Sequence, residues 1–235
     1  MDRGWFGILS GMPKSGKTHF ALSAVQEANV FLFDTERGSK HIINKHFADA
    51  ENKITVYDVN SWNEFKHYIE DFVKKAKEND LVIIDSFWDL IRYCQEFMQE
   101  QDENKNRPWY HITGQANKAM KKMITFIVNS NYNLIATSPL TDVYAGDSRT
   151  GQKEVDLRPT FIHLCDFMGV YKDDLDNWDF DVCRWKIKKQ NWMIEPDPYS
   201  TGLYEVVRGL QSPIPIEDKP IYGKEYKFRV NPNHR

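Results

Sequence analysis

The chain has 235 residues, 41% of them hydrophobic and 28% charged, with a formal net charge of −3. That length suits one large α/β domain, or one domain with a small appendage, and the apolar content is enough for a buried core. The negative balance excludes whole-molecule attraction to polyanions, and no stretch approaches the roughly 20 apolar residues of a membrane helix.

Met1-Asp2-Arg3-Gly4-Trp5 carries no apolar signal region, so export is not expected. Cys94, Cys165 and Cys183 form no CxxC pair, which argues against a zinc site or a disulfide framework. Trp5–Ser10 is a short apolar run that stops at Gly11, as a buried strand does. Helical spacing of Phe20, Ala21, Ala24, Val25 and Ala28 follows, predicting a helix over 16–28. Val30-Phe31-Leu32-Phe33 reads as a second buried strand ending in Asp34-Thr35-Glu36-Arg37-Gly38, and Ile54–Val59 as a half-exposed one.

Ser61–Lys77 is an amphipathic helix with Ser61 and Glu64 at capping-box spacing. Leu81-Val82-Ile83-Ile84 is another apolar strand, ending in Asp85-Ser86. Gln95–Pro108 is polar and charged, the end of a helix and then a loop; a helix over about 113–129 leads to the strand Asn133–Thr137. Trp109-Tyr110-His111 read either as a further exposed aromatic site or, as aromatics beside a proline more often do, as packed against a helix, and packing is the expectation. Thr141–Arg158 reads mostly as loop. Phe161–Lys172 and Phe180–Gln190 flank the polar turn 173–179 as a closing strand pair, and the chain from Glu195 is irregular. Strands alternating with helices at this spacing predict a parallel sheet.

Gly11-Met12-Pro13-Lys14-Ser15-Gly16-Lys17-Thr18 matches G-x-x-x-x-G-K-[ST] in full. Its glycines let backbone N–H groups wrap phosphate oxygens, Lys17 neutralises the β- and γ-phosphates, and the Thr18 hydroxyl ligates magnesium. ATP and Mg2+ are therefore the expected ligands. Asp85 ends an apolar strand in the Walker B manner, a second magnesium ligand. Residue 86 is Ser, so no glutamate follows that aspartate directly. Glu36, past the C-terminal end of the second strand, is the candidate for orienting the attacking water; the competing reading makes Asp34, Glu36 and Arg37 ordinary loop charges.

These motifs, in this order, resemble the RecA-like ATPase core over roughly residues 5–192. The closest similarity is to the compact phage-encoded RecA-like ATPases associated with single-strand annealing and recombination. The resemblance implies an α/β, three-layer core with a mainly parallel central sheet and a C-terminal antiparallel strand pair. It further implies Glu36 as the catalytic glutamate and Thr137 or Ser138 as γ-phosphate sensor, since Ser138-Pro139 replaces the Asn-Gln of larger recombinases. A basic residue acting on a neighbouring subunit's nucleotide would be Lys188 or Lys189, with a solvent-facing basic strand edge as the alternative.

The segment Thr141–Arg158 lies where that family places a DNA-binding loop. Tyr144, Arg149, Lys153 and Arg158 suit stacking and phosphate contacts on single-stranded DNA, while Asp142, Asp147, Glu154 and Asp156 offset their charge. The implied protein is a cytoplasmic homo-oligomeric ATPase, ring or filament, in the host cytoplasm if viral, with no membrane partner. Residues 193–235 would form an extension packing on the core or on a neighbouring subunit. A DNA translocase or packaging motor on the same core, and a slow nucleotide-switched binding module without a DNA substrate, are the competing functions.

Overall fold

A computed structural model describes residues 3–101, 104–145, 147–172, 177–182, 191–194, 203–204, 207, 220–221, 224–225 and 228–230. The side chains of residues 144, 152–153, 172 and the strands beyond 176 lie outside that description. In chain order the elements are β1 (Phe6–Ser10), α1 (Lys17–Leu22), β2 (Val30–Asp34), α2 (Ser39–His46), β3 (Ile54–Asp58), α3 (Trp62–Lys75) and β4 (Leu81–Asp85). There follow α4 (Phe87–Glu100), α5 (Trp109–Asn129), β5 (Asn133–Ser138), β6 (Leu140–Ala145), β7 (Ser148–Val155) and α6 (Pro159–Ile162). The last are β8 (Phe167–Lys172), β9 (Asn177–Val182), β10 (Asn191–Ile194), β11 (Pro220–Ile221), β12 (Lys224–Glu225) and β13 (Phe228–Val230).

These elements form two compact units, Met1–Phe6 with Ala28–Thr137, and Gly7–Glu27 with Ser138–Arg235. In the first, β2 pairs in parallel with both β3 and β4, and β4 pairs in parallel with β5. Every residue of β2, β4 and β5 is buried, which is why these strands read as apolar runs rather than alternations. Aromatic side chains fill the space against α3: the Phe33 ring lies 5.0 Å from Tyr57 and 5.1 Å from Phe65, and Phe72 lies 5.0 Å from Phe31. Ser61 caps α3, its hydroxyl accepting the Glu64 N–H at 3.2 Å, while the Glu64 carboxylate accepts the Asn60 N–H at 2.8 Å.

Two features of this unit differ from the sequence reading. Helix α2 falls in a stretch assigned no element; only Ser39 and Ile43 of its residues are buried, so its apolar signal is small. Helix α5 begins at Trp109, four residues before the expected 113: Pro108 stands at its N-cap, and the first turn precedes the inward stripe of Ile112, Ala116, Met120, Ile124 and Ile127.

In the second unit β1 pairs in parallel with β8, and β8, β9, β10 and β13 continue as antiparallel neighbours. A Cβ on Gly7 would come within 2.3 Å of the Phe167 ring, so glycine admits that ring. Helix α1 is shorter than the expected 16–28: it passes at Ser23 into a 3-10 turn, Ser23–Gln26. The Ser23 hydroxyl donates to the Phe20 carbonyl at 2.6 Å and accepts the Leu203 N–H at 2.9 Å.

Thr141–Arg158 is chiefly the hairpin β6–β7 rather than a loop. Strand β7 is polar and mostly exposed and the described residues of β6 are at best half-buried, so no clear apolar alternation marks the pair, and cross-strand backbone pairing joins them. Phe161–Lys172 is a strand only from Phe167, because Pro159 opens the short helix α6 ahead of it. β9 begins at Asn177, inside the stretch read as a turn, and residues 183–190 lie outside the described set.

Six strands thus take part in parallel pairs, four in the first unit and two in the second, with helices between them and an antiparallel strand pair toward the C-terminus. The fold is α/β and mainly parallel, as expected. Of residues 193–235, β13 joins the antiparallel strands through β10.

Candidate functional site

The loop between β1 and α1 turns on two left-handed residues, Lys14 at φ 67° and Gly16 at φ 86°. Gly16 has open space where a Cβ would stand, so what it supplies is conformation. Gly11 supplies room instead, because a Cβ there would lie 2.5 Å from the Ser15 hydroxyl oxygen. The Ser15 N–H donates to the Met12 carbonyl at 3.2 Å, and the Gly11 N–H to the Ser138 carbonyl at 3.3 Å. Lys17 folds over this turn: its Nζ donates to the Gly11 carbonyl at 3.0 Å and to the Met12 carbonyl at 2.9 Å. Ser15 Oγ is buried and makes no hydrogen bond within the described chain, a polar atom that fits an anionic oxygen as its partner. Met12, Ser15, Lys17 and Thr18 are half-buried, while Pro13, Lys14 and Gly16 are exposed.

The carboxylates lie in the other unit. In the β2–β4 pair Asp34 stands opposite Asp85. Asp85 is 5% exposed, and its Oδ1 accepts a short hydrogen bond from the Thr137 hydroxyl. The Asp85–Ser86 peptide is cis. Asp34 is fully buried: Oδ1 accepts the N–H groups of Glu36 at 3.0 Å and Arg37 at 2.7 Å, and Oδ2 accepts the N–H and hydroxyl of Ser39. It is therefore no ordinary loop charge but the anchor of the turn that carries Glu36. Carboxylate-anchored amides of this kind form strong, charge-assisted bonds. The Glu36 side chain is exposed, and Arg37, at φ 59°, donates from Nε to the Asn60 side-chain oxygen at 3.0 Å.

The donor types suit magnesium, since a threonine hydroxyl and an aspartate carboxylate are hard oxygen ligands. Among the described residues no group of three or more His, Cys, Asp or Glu could hold a metal. Magnesium tolerates so sparse a protein shell because waters and substrate phosphates complete its octahedron.

The two sensor candidates differ in their surroundings. Thr137 bonds the Asp85 carboxylate, whereas the Ser138 hydroxyl, with one proton to donate, faces the backbone carbonyls of Pro139 and Asp156 at 3.3 and 3.2 Å. Tyr144 on β6 is directly opposite Arg149 on β7, and Lys153 is opposite Asp142. Arg149 is exposed and lies 3.5 Å from Asp142, and Arg158 is exposed just before α6. Lys188 and Lys189 lie outside the described residues.

Trp109 and Tyr110 are 55% and 78% exposed, contrary to the expectation that they pack inward. They open α5, whose buried stripe begins only at Ile112, so their side chains fall outside the core face. From 104 to 129 the chain carries Lys105, Arg107, Lys118, Lys121 and Lys122, all exposed, and no Asp or Glu. The signal of this run in the sequence is its lack of acidic residues, which escapes a search for basic patches because the lysines and the arginine are spread along the chain rather than clustered. Among the described residues no helix is long and apolar enough to cross a membrane.

No curated protein matches the sequence. A family model described as "AAA domain" matches residues 3–171, from before β1 into β8. That span takes in the phosphate loop, the Glu36 turn, the Asp85 strand end and Thr137, and the chain belongs to the AAA domain family of nucleotide-hydrolysing P-loop ATPases.

Proposed function

We propose that the chain is a magnesium-dependent ATPase of RecA-like type that acts on single-stranded DNA, in recombination or annealing of the kind phage-encoded relatives perform. The hydrolytic part rests on one observation above all: the turn bearing Glu36 is bonded directly to the Asp85 strand end, with Thr35 N–H donating to the Asp85 carbonyl at 2.6 Å. A carboxylate exposed beside a buried Walker B aspartate is suited to orienting water for attack on the γ-phosphate.

In this scheme Gly11–Thr18 bind the phosphates, and Lys17 exchanges its two carbonyl contacts for the β- and γ-oxygens. Thr18 and Asp85 are the metal ligands, and magnesium, when bound, supplies positive charge to the phosphate oxygens. Glu36 accepts a hydrogen bond from the attacking water and aligns it. Thr137, already bonded to Asp85, is the better sensor of the two candidates. Lys188 or Lys189 of an adjacent subunit would complete the site in a homo-oligomer, and residues 193–235 would pack on the core or on that neighbour.

The DNA part is supported by surface chemistry. The acid-free run 104–129 and the exposed Trp109 and Tyr110 offer phosphate contacts and stacking faces. The Tyr144/Arg149 end of the β6–β7 hairpin, with Lys153 and Arg158 nearby in sequence, offers a second such set.

Replacing Glu36 with Gln separates a hydrolase from a nucleotide-operated switch. Loss of turnover by roughly 100-fold or more, with retained ATP affinity, is expected of a water-positioning residue. Unchanged turnover would assign hydrolysis to another group and favour the slow switch.

A further inference from the structure

Between the buried Asp85 and the exposed Glu36 stands one hydroxyl with three polar contacts. Thr35 Oγ1 accepts the Ser86 N–H at 2.7 Å and faces the carbonyls of Asp85 at 3.1 Å and Ser86 at 3.3 Å. A hydroxyl has one proton to donate and lone pairs to accept with, so this group serves the Ser86 amide and one of the two carbonyls at any moment. The Thr35 backbone N–H adds the bond to the Asp85 carbonyl at 2.6 Å. Ser86 is 4% exposed, so solvent does not readily replace the hydroxyl as acceptor for its amide.

These bonds continue on both sides. Beyond Asp85 lies the Thr137 hydroxyl; beyond Thr35, the Glu36 and Arg37 amides are held by Asp34, which also grips Ser39 at the start of α2. The chain Thr137, Asp85, Ser86, Thr35, Glu36, Asp34 and Ser39 is hydrogen-bonded throughout, apart from the peptide links that join its sequence neighbours. The Asp34 anchor fixes the shape of the Glu36 turn. Through its side chain, Thr35 fixes where that turn stands relative to the Asp85–Ser86 corner.

We propose that Thr35 is a positioning residue that couples the water-orienting Glu36 to the metal-binding Asp85, so that both carboxylates are set as one unit. This rests on the reading of Glu36 and Asp85 given above. Thr35 touches neither substrate nor metal in this scheme; its hydroxyl acts through the backbone of the corner it bonds. A displacement of Glu36 by about 1 Å is enough to cost on the order of 100-fold in rate, because in-line attack tolerates little misalignment. Nucleotide affinity is set mainly by the phosphate loop and should be insensitive to the same change.

The test compares Thr35→Val, which keeps the shape and removes the hydroxyl, with Thr35→Ser, which restores it. ATP turnover, fluorescent-nucleotide affinity and Tm are measured for both, for Glu36→Gln, and for the Thr35→Val/Glu36→Gln double variant. Thr35→Val should lower kcat by about 10- to 100-fold with nucleotide affinity held within about threefold, and Thr35→Ser should recover most of the rate. The double variant should be no slower than Glu36→Gln alone, since a residue acting through Glu36 has nothing left to position. Additive losses in the double variant, or no recovery with Ser, would overturn the coupling role. Equal falls in kcat, affinity and Tm for Thr35→Val would mark a merely structural residue and also overturn it. If Glu36→Gln is inactive while Thr35→Val turns over at the wild-type rate, only the positioning role is lost. If Glu36→Gln itself retains turnover, the reading of Glu36 falls, and the positioning role falls with it.

Discussion

At the residue scale, four acidic or thiol side chains in buried or half-buried places have come to serve distinct ends. Asp34 and Asp85 are neighbours across β2 and β4 and are almost equally buried, yet Asp34 spends its oxygens on three amides and a hydroxyl, while Asp85 accepts from the Thr137 hydroxyl. The sequence shows both as aspartates ending apolar strands. Nothing in that spacing separates an anchor from a candidate metal ligand, because the distinction lies in which amides fold back over each carboxylate. Asp71, on α3, is held below the ordinary carboxylate range by Lys75 and by the Tyr57 hydroxyl, which donates to it at 2.7 Å. Cys94 is buried in the α4–α5 contact, and burial pushes its thiol up to about 12. A raised pKa favours the protonated thiol, so at pH 8 almost no thiolate is present. Native protein treated with iodoacetamide at pH 8 should therefore leave Cys94 unmodified, and urea should expose it; peptide mapping that finds rapid native labelling of Cys94 would contradict this.

At the element scale, the parts most legible in the sequence were those with a continuous or periodic apolar signal. β1, β2, β4 and β5 were recognisable because parallel strands buried on both faces leave no polar alternation. Helix α3 was recognisable from its capping pair as well as its apolar face. What escaped were elements stabilised by polar or backbone contacts: α2, tied to Asp34 at its first residue, and the β6–β7 hairpin, whose strands show little buried surface. The Ser61 cap lends itself to a direct check. Ser61→Ala removes the acceptor of the Glu64 amide and should lower unfolding free energy by about 1 kcal/mol, measured by urea titration with an unchanged m-value. A loss below about 0.3 kcal/mol would show that the Glu64–Asn60 bond alone holds this terminus.

At the scale of the whole molecule, the question is how a chain of net charge −3 would engage the proposed polyanion. Net charge is a poor guide when positive residues are segregated, as they are over 104–129. The sequence places candidate DNA contacts beyond β5 and leads one to expect Trp109 and Tyr110 packed inward; their exposure, with Lys105 and Arg107 just before them, adds α5 to the candidate surface. Membership of the AAA domain family establishes the P-loop ATPase class, and it leaves the polynucleotide to be argued from the surface. Steady-state ATP hydrolysis, with and without single-stranded DNA from low to physiological salt, tests the central claim most directly. Turnover should rise at least severalfold with DNA, and the DNA concentration needed should increase steeply with salt, as counterion release requires. Turnover that DNA leaves unchanged at every salt concentration would contradict the account, however well the protein hydrolyses ATP.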